Sequence, residues 1–286
     1  MQKAVQSGPN ILYNLDEPMA SLNPYLCPMY ETISYEVRDA VAYLTLNRPD
    51  RFNAFNEKMS HELLAALREA RKNAQVRAVV IQGSGKAFCS GQDLKDIIGI
   101  KRSLGESVEK RYNPLVRTLH ELEKPVIASV NGVAAGAGVG LALACDYVIA
   151  AESASFVVAF VNVGLSLDTG TSFHLVRTIG LKRAFELATL GERLPAQTAL
   201  AWGMINRVVP DADLPQETHR IATHYAEKPP RALAYIKKLL LHSFERSYEE
   251  ALQQELYYQE LAGRTEDYQE GIQAFVEKRK PQFKGR

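Results

Sequence analysis

The chain has 286 residues, 46% hydrophobic and 23% charged, with a formal net charge of +1. These values fit a soluble globular protein made of one large domain or a core with an appendage. The near-balance of 34 Lys and Arg against 33 Asp and Glu excludes the basic track of a nucleic-acid binder and the polybasic face of a membrane-surface protein.

Residues 1–32 include Pro9, Pro18, Pro24 and Pro28 and show no sustained period, so an irregular extension is expected. No charged start leads into an apolar run, and Asp16 and Glu17 occur without any arginine, so the segment reads as neither a secretory leader nor a transit peptide. Ile33–Val37 and Val41–Leu46 read as a hairpin around Arg38-Asp39-Ala40. Asn56 precedes a helical pattern with Met59, Leu63, Leu64 and Leu67. Ala78–Ile81 is a buried strand ending in Gly83-Ser84-Gly85, and Phe88–Leu94 is a turn. Lys95–Tyr112 is polar, expected to be partly helical and mobile, and Leu115–Leu122 is helical. The strand Pro125–Ser129 runs straight into a small-residue helix within Val130–Cys145, with Gly132, Gly136, Gly138 and Gly140. The apolar run Val133–Cys145 stops at Asp146, short of the roughly 20 residues a membrane span takes. Tyr147–Ala150 and Ser155–Val158 are strands; Ser172–Ile179, Lys182–Leu190 and Ala196–Trp202 are helices; Ile205–Val209 is a strand; and the pattern is helical from Leu214 to the end. Strands alternating with helices define an α/β architecture.

One internal echo carries chemistry. Ala78–Asp93 and Val126–Leu141 both read as strand, glycine turn, second glycine step, helix. Two such units side by side bring two helix-start N–H groups to one cavity, an arrangement able to hold a carbonyl oxygen as it gains charge. A glycine-lined helix packed on a sheet is the structural alternative for Val130–Cys145, at about even weight from the segment alone. Other motifs fail. Gly83-Ser84-Gly85-Lys86 lacks the first glycine and the final Ser/Thr of a phosphate loop. Gly136-Ala137-Gly138-Val139-Gly140 has Leu141 where a third dinucleotide-loop glycine belongs, and Gly164–Asp168 ends in aspartate where a nucleophile elbow needs glycine. The six histidines and the cysteines Cys27, Cys89 and Cys145 show no metal-ligand spacing, so no metal is expected. The odd, scattered cysteines point to a reducing, cytoplasmic setting.

In order along residues 33–286, several motifs together resemble the enoyl-CoA hydratase/isomerase family, also called the crotonase superfamily. They are Asn47-Arg48-Pro49 with Asn53-Ala54; Phe88–Leu94; Lys124–Ala128 with Val130-Asn131-Gly132; Cys145-Asp146; Ala151–Phe156; and Ala274–Arg279. Ser90–Leu94, Tyr112–Arg117, Gly132–Gly138, Leu261–Arg264 with Asp267-Tyr268, and Pro281-Gln282-Phe283 place the likeness with the members that isomerise ring-epoxidised phenylacetyl-CoA. The resemblance implies a crotonase-like α/β fold, in which a spiral of repeated β-β-α units over 33–213 is followed by a helical trimerisation region over 214–286. It also implies a homotrimer or a dimer of trimers, an acyl-CoA substrate, and no cofactor beyond the coenzyme A of that substrate.

The same resemblance implies an oxyanion hole made by the backbone N–H groups of Gln92 and Ala137. At the two positions where the family's hydratases hold glutamates this chain has Gly140 and Phe160, and neither moves a proton. Hydration needs a base and an acid, so isomerisation is expected, and the resemblance implies Asp168 as the single acid/base, in the loop Gly164–Gly170 where the family's isomerases hold their catalytic aspartate. An apolar pocket from Val157, Phe160, Val161 and Leu167 would raise its pKa. The alternatives are that Asp168 caps the following helix, that it activates water or attacks the acyl group in hydration, hydrolysis or dehalogenation, or that the chain is a non-catalytic acyl-CoA-binding or structural subunit. Coenzyme A contacts map by resemblance onto Ala54, Ser90, Asp93 and Leu94, with Arg51 and Lys278 for phosphate and Phe275 beside Lys278. A solvated charge run is the alternative for Lys278. Tyr112 and Asn113 are candidates to reach the same pocket, with a structural role weighed at least equally for both and no chemistry assigned.

Overall fold

The computed structural model describes residues 30–96 and 103–286; most of the expected 1–32 extension and the middle of the 95–112 segment lie outside the described residues. Two sheets organise the chain. The first has six strands: β1 (Ile33–Arg38), β2 (Val41–Leu46), β3 (Ala78–Gly83), β5 (Val126–Val130), β7 (Tyr147–Ala151) and β10 (Arg207–Val209), side by side in the order β1-β2-β3-β5-β7-β10. The second has four, in the order β4 (Ala87–Cys89), β6 (Val133–Ala135), β8 (Ser155–Val157) and β9 (Arg193–Pro195). Among the described residues only the β1–β2 hairpin and the β8–β9 pair are antiparallel. Strand β5 is buried at every position and β3 from Ala78 to Ile81. Such unbroken apolar runs are what a parallel strand covered on both faces requires.

Helices fill the connections. They are α1 (Glu57–Lys72), α2 (Leu104–Ser107), α3 (Asn113–Glu121), α4 (Ala137–Leu143), α5 (Thr171–Leu190), α6 (Ala196–Ala201), α7 (Leu214–Ala226), α8 (Pro230–Leu241), α9 (Tyr248–Gly263) and α10 (Glu266–Val276). Asn56 caps α1 as its position predicts, its side chain accepting from Met59 N at 2.8 Å. Helix α5 contains a break at Gly180 (φ 75°, ψ 163°), which recovers the two helices expected on either side of it. Helix α1 packs on β1 and β2, and α7 packs on β3, β5 and β7.

The echo between the two units takes a form the sequence pattern only half shows. In each, the strand is followed by a second, three-residue strand, β4 after β3 and β6 after β5. The second unit therefore does not run straight from strand to helix. The first strands pair in parallel in one sheet and the second strands pair in parallel in the other, with Ala87 opposite Val133 and Cys89 opposite Ala134. The first unit ends in a short 3-10 turn, Leu94–Asp96, where a helix was expected; the second ends in α4. The helical pattern after Leu214 also stops before the chain does. Helix α10 ends at Val276, Lys278 takes φ 55°, and the tail folds back so that the buried Asp267 carboxylate accepts from Lys284 N at 2.6 Å and Gly285 N at 2.8 Å.

Candidate active site

Parallel pairing of β4 and β6 puts their carboxyl ends, and so the turns that follow, next to each other. Those turns are Gly91 (φ +91°) and Gly136 (φ +50°). A Cβ on Gly91 would stand 2.8 Å from Ala135 O and 3.4 Å from Ala137 N, so the two turns can meet only without one. The residues after them, Gln92 and Ala137, line one cavity of about 590 Å³, and neither backbone N–H has an acceptor among the described residues. An unpaired N–H pair facing a cavity is free to bind an oxygen there.

The remaining walls come from three segments. Leu94, Leu104, Val108, Phe160, Val163, Leu165 and Leu167 make them apolar, and Asp168 is the one charged side chain on the described lining. Phe160 and Leu167 stand where the sequence placed them, whereas Val157 and Val161 lie off the cavity. Asp168 is half-buried, and burial raises its carboxyl pKa above the ordinary value, with the Thr169 hydroxyl, which donates to Oδ1 at 2.6 Å, acting in the opposite direction. It does not cap α5: Gly170 holds the N-cap position with no side-chain hydrogen bond, and only the Asp168 carbonyl, accepting from Thr171 N at 2.9 Å, serves the turn. Beneath this loop, burial pushes the His174 imidazole down to about 4, helped by His120 and Arg177. His174 therefore adds no charge near Asp168 at neutral pH.

Gly140 faces the same loop. A Cβ there would lie 2.7 Å from Thr169 O and 2.7 Å from Thr171 Oγ1. Helix α4 and the Asp168 loop thus touch through a position that admits no side chain.

The residues expected to bind coenzyme A divide. Ser90 and Leu94 line the cavity. Arg51 is exposed beside them, its carbonyl accepting from Ser90 Oγ at 3.4 Å. Ala54 and Asp93 are buried behind the wall and joined by Arg48, which donates to Ala54 O at 2.5 Å and pairs with Asp93 Oδ2 at 2.9 Å. The Asp93 carboxylate also accepts from Lys95 N at 3.2 Å, so this side chain braces the turn. Phe275, 85% exposed, and Lys278 at the end of α10 are not on the cavity's lining. Sequence reasoning missed Phe55. Its backbone brackets Gln92, donating from N to Gly91 O at 2.7 Å and accepting at O from Asp93 N at 2.9 Å. The isolated bridge is a contact between distant segments with no local signature. Tyr112 and Asn113 both line the cavity, and burial lifts the Tyr112 phenol above its ordinary pKa against the opposing charge of Arg111.

The chain belongs to the enoyl-CoA hydratase/isomerase family, whose model matches residues 36–286. It is 46% identical over 262 residues to 1,2-epoxyphenylacetyl-CoA isomerase of Escherichia coli (strain K12), covering 90% of this chain and 100% of that protein. It is 35% identical over 264 residues to trans-2-decenoyl-acyl-carrier-protein isomerase of Streptococcus mutans, covering 90% and 99%. The crystal structure of an enoyl-CoA hydratase from Bacillus anthracis superimposes with a TM-score of 0.86 at 34% identity, covering 90% of this chain and 100% of that one. These matches bear out the crotonase-like α/β fold and the likeness to the phenylacetyl-CoA branch. Among the described residues no helix is long and apolar enough to cross a membrane.

Proposed function

We propose that this chain is an acyl-CoA isomerase that holds a thioester enolate between the Gln92 and Ala137 N–H groups and moves one proton with Asp168. The observation that carries the reading is the pairing of two acceptor-free N–H groups with a single carboxylate on one apolar cavity. In this reaction the Asp168 carboxylate takes a proton from the carbon next to the thioester. The C–H electron pair moves into the carbonyl, whose oxygen becomes the anion bound by the two N–H groups. The electrons then return through the conjugated chain, and the same carboxyl delivers its proton to a different carbon. For a 3-enoyl thioester the double bond ends next to the carbonyl. Hydration would require a second proton carrier, and neither Gly140 nor Phe160 is one.

Coenzyme A would enter past Ser90 and Leu94, and the exposed Arg51 beside them would bind its phosphates. Phe275 and Lys278 would reach a ligand from a neighbouring copy. Supporting that assembly, Leu240, Phe244, Leu256, Phe275 and Val276 expose apolar surface at the C-terminal end of the chain. Sedimentation equilibrium is expected to give the mass of three or six copies; a monomer at micromolar concentration would overturn this assembly.

The reaction is tested with the wild-type enzyme in deuterated water. We expect exchange of the α-protons of phenylacetyl-CoA and conversion of 3-hexenoyl-CoA to its 2-enoyl isomer. Because the base must be ionised and burial raises its pKa, kcat/KM should climb with pH through a value above that of an ordinary aspartate and then level off. Binding without exchange would make the chain a non-catalytic acyl-CoA binder, and hydration of crotonyl-CoA faster than the double-bond shift would make it a hydratase.

A further inference from the structure

The side chain of Gln92 is tied at every polar atom, although the proposed reaction uses only its main chain. Its Nε2 donates to Phe55 O at 3.1 Å and Asp93 O at 3.3 Å, and its Oε1 accepts from the Tyr112 hydroxyl. Tyr112 is only 3% exposed and ends a wide turn of π-helical geometry, Val108–Tyr112. Its ring meets Phe55 edge-on, with centroids 5.7 Å apart and planes at 87°. Phe55, Gln92 and Tyr112 therefore close a ring of contacts drawn from three segments: backbone bridge, ring edge and hydroxyl.

We infer that Tyr112 is a positioning residue, whose hydroxyl locks the Gln92 side chain and thereby aims the Gln92 N–H into the cavity. The inference rests on the proposed reaction for its kinetic consequence and on the contact ring for its geometry. A phenol has one proton to donate, and here Gln92 Oε1 takes it, so the hydroxyl is not a proton source for the acyl chain. Without it, a partly buried amide oxygen loses its donor, an unfavourable state that the side chain relieves by turning. Turning releases Nε2 from Phe55 O and loosens the bridge that sets the Gln92 backbone. Because Leu104 and Val108 of the preceding segment line the same cavity, the lock also ties that wall to the N–H donor.

Tyr112→Phe keeps the ring and removes only the lock. For α-proton exchange of phenylacetyl-CoA it is expected to lower kcat roughly 10- to 100-fold with KM within about twofold, because small misplacements of a transition-state donor act on the chemical step. In a Gln92→Ala background the same change is expected to cost less than about twofold, since both act on one element. A second readout does not need turnover: the infrared C=O band of bound, carbonyl-labelled phenylacetyl-CoA should shift to lower wavenumber in the wild type and shift less in Tyr112→Phe. Equal bands in the two proteins, a wild-type rate in Tyr112→Phe, or losses that multiply in the double variant would overturn the inference. No exchange by the wild type would overturn the proposed reaction instead, leaving the infrared comparison to decide Tyr112. Failure of the wild type to bind phenylacetyl-CoA would overturn both.

Discussion

Asp168→Asn is expected to lower kcat for both exchange and double-bond shift by roughly 10²- to 10⁴-fold, with acyl-CoA affinity within about threefold of wild type. The asparagine keeps the size of the side chain and an oxygen to accept from Thr169, and loses the ability to take a proton. No other described charged side chain lines the cavity to substitute for it. Isothermal titration with phenylacetyl-CoA and a deuterium-exchange assay separate binding from chemistry, and an active Asp168→Asn enzyme would remove Asp168 from the mechanism. The variant should also be more stable than the wild type at pH 7. The sign follows from the raised pKa: ionising this carboxyl costs more in the folded than in the unfolded chain. Wild type and variant therefore match below about pH 4, the ordinary Asp value, and the wild type falls behind as pH rises through the raised one. Urea unfolding at pH 4 and pH 7 measures the difference. A functional group held at a cost in stability is a common active-site trade.

Ala137→Pro is expected to lower kcat/KM by roughly 10²- to 10³-fold, the usual consequence of deleting one oxyanion donor. Ala137 is the first residue of α4, where proline is well tolerated because the N–H it removes has no partner within the helix. Here that N–H is the proposed oxyanion donor. Ala137→Ser keeps the N–H and serves as the control, with activity expected near wild type. Circular dichroism should show both variants folded. A proline variant with wild-type activity would show that the Ala137 N–H binds no charge in the reaction.

The parts of the fold legible in the sequence are those where local chemistry and tertiary demand agree. The β1–β2 hairpin, the Asn56 cap and the break of α5 at Gly180 each depend on neighbouring residues, and each was readable. Strands β4 and β9 were not, because Ala87–Cys89 merges with the Phe88–Leu94 turn and Arg193–Pro195 carries a proline, whereas the equally short β8 and β10 extend into longer runs of strand-forming residues; β6 was hidden within a glycine-rich run. The echo foretold two units and two adjacent turns, but not that a second sheet aligns them; that depends on pairing between Ala87 and Val133, 46 positions apart. At the candidate site, Gln92, Ala137 and Asp168 were reached largely through family resemblance, with the glycine pattern as independent support. The Asp93 carboxylate shows the opposite case. It lies in the motif that maps onto a coenzyme A contact, yet its side chain pairs with Arg48, distant in sequence, and serves as a brace. Ion-pair partners across a fold leave no periodic trace.

The contact at Gly140 works as a ruler. Helix α4 begins with a proposed oxyanion donor, and the loop touching Gly140 carries the proposed base, so the gap between the two is set by backbone in van der Waals contact. With the thioester oxygen fixed at one end, the arc swept by the carboxyl at the other determines which carbons of the acyl chain fall within its reach. Regiochemistry, the choice of where the proton returns, is then a matter of spacing between two backbone segments. In the proposed reaction, a change in this gap is expected to change the atom to which the proton returns.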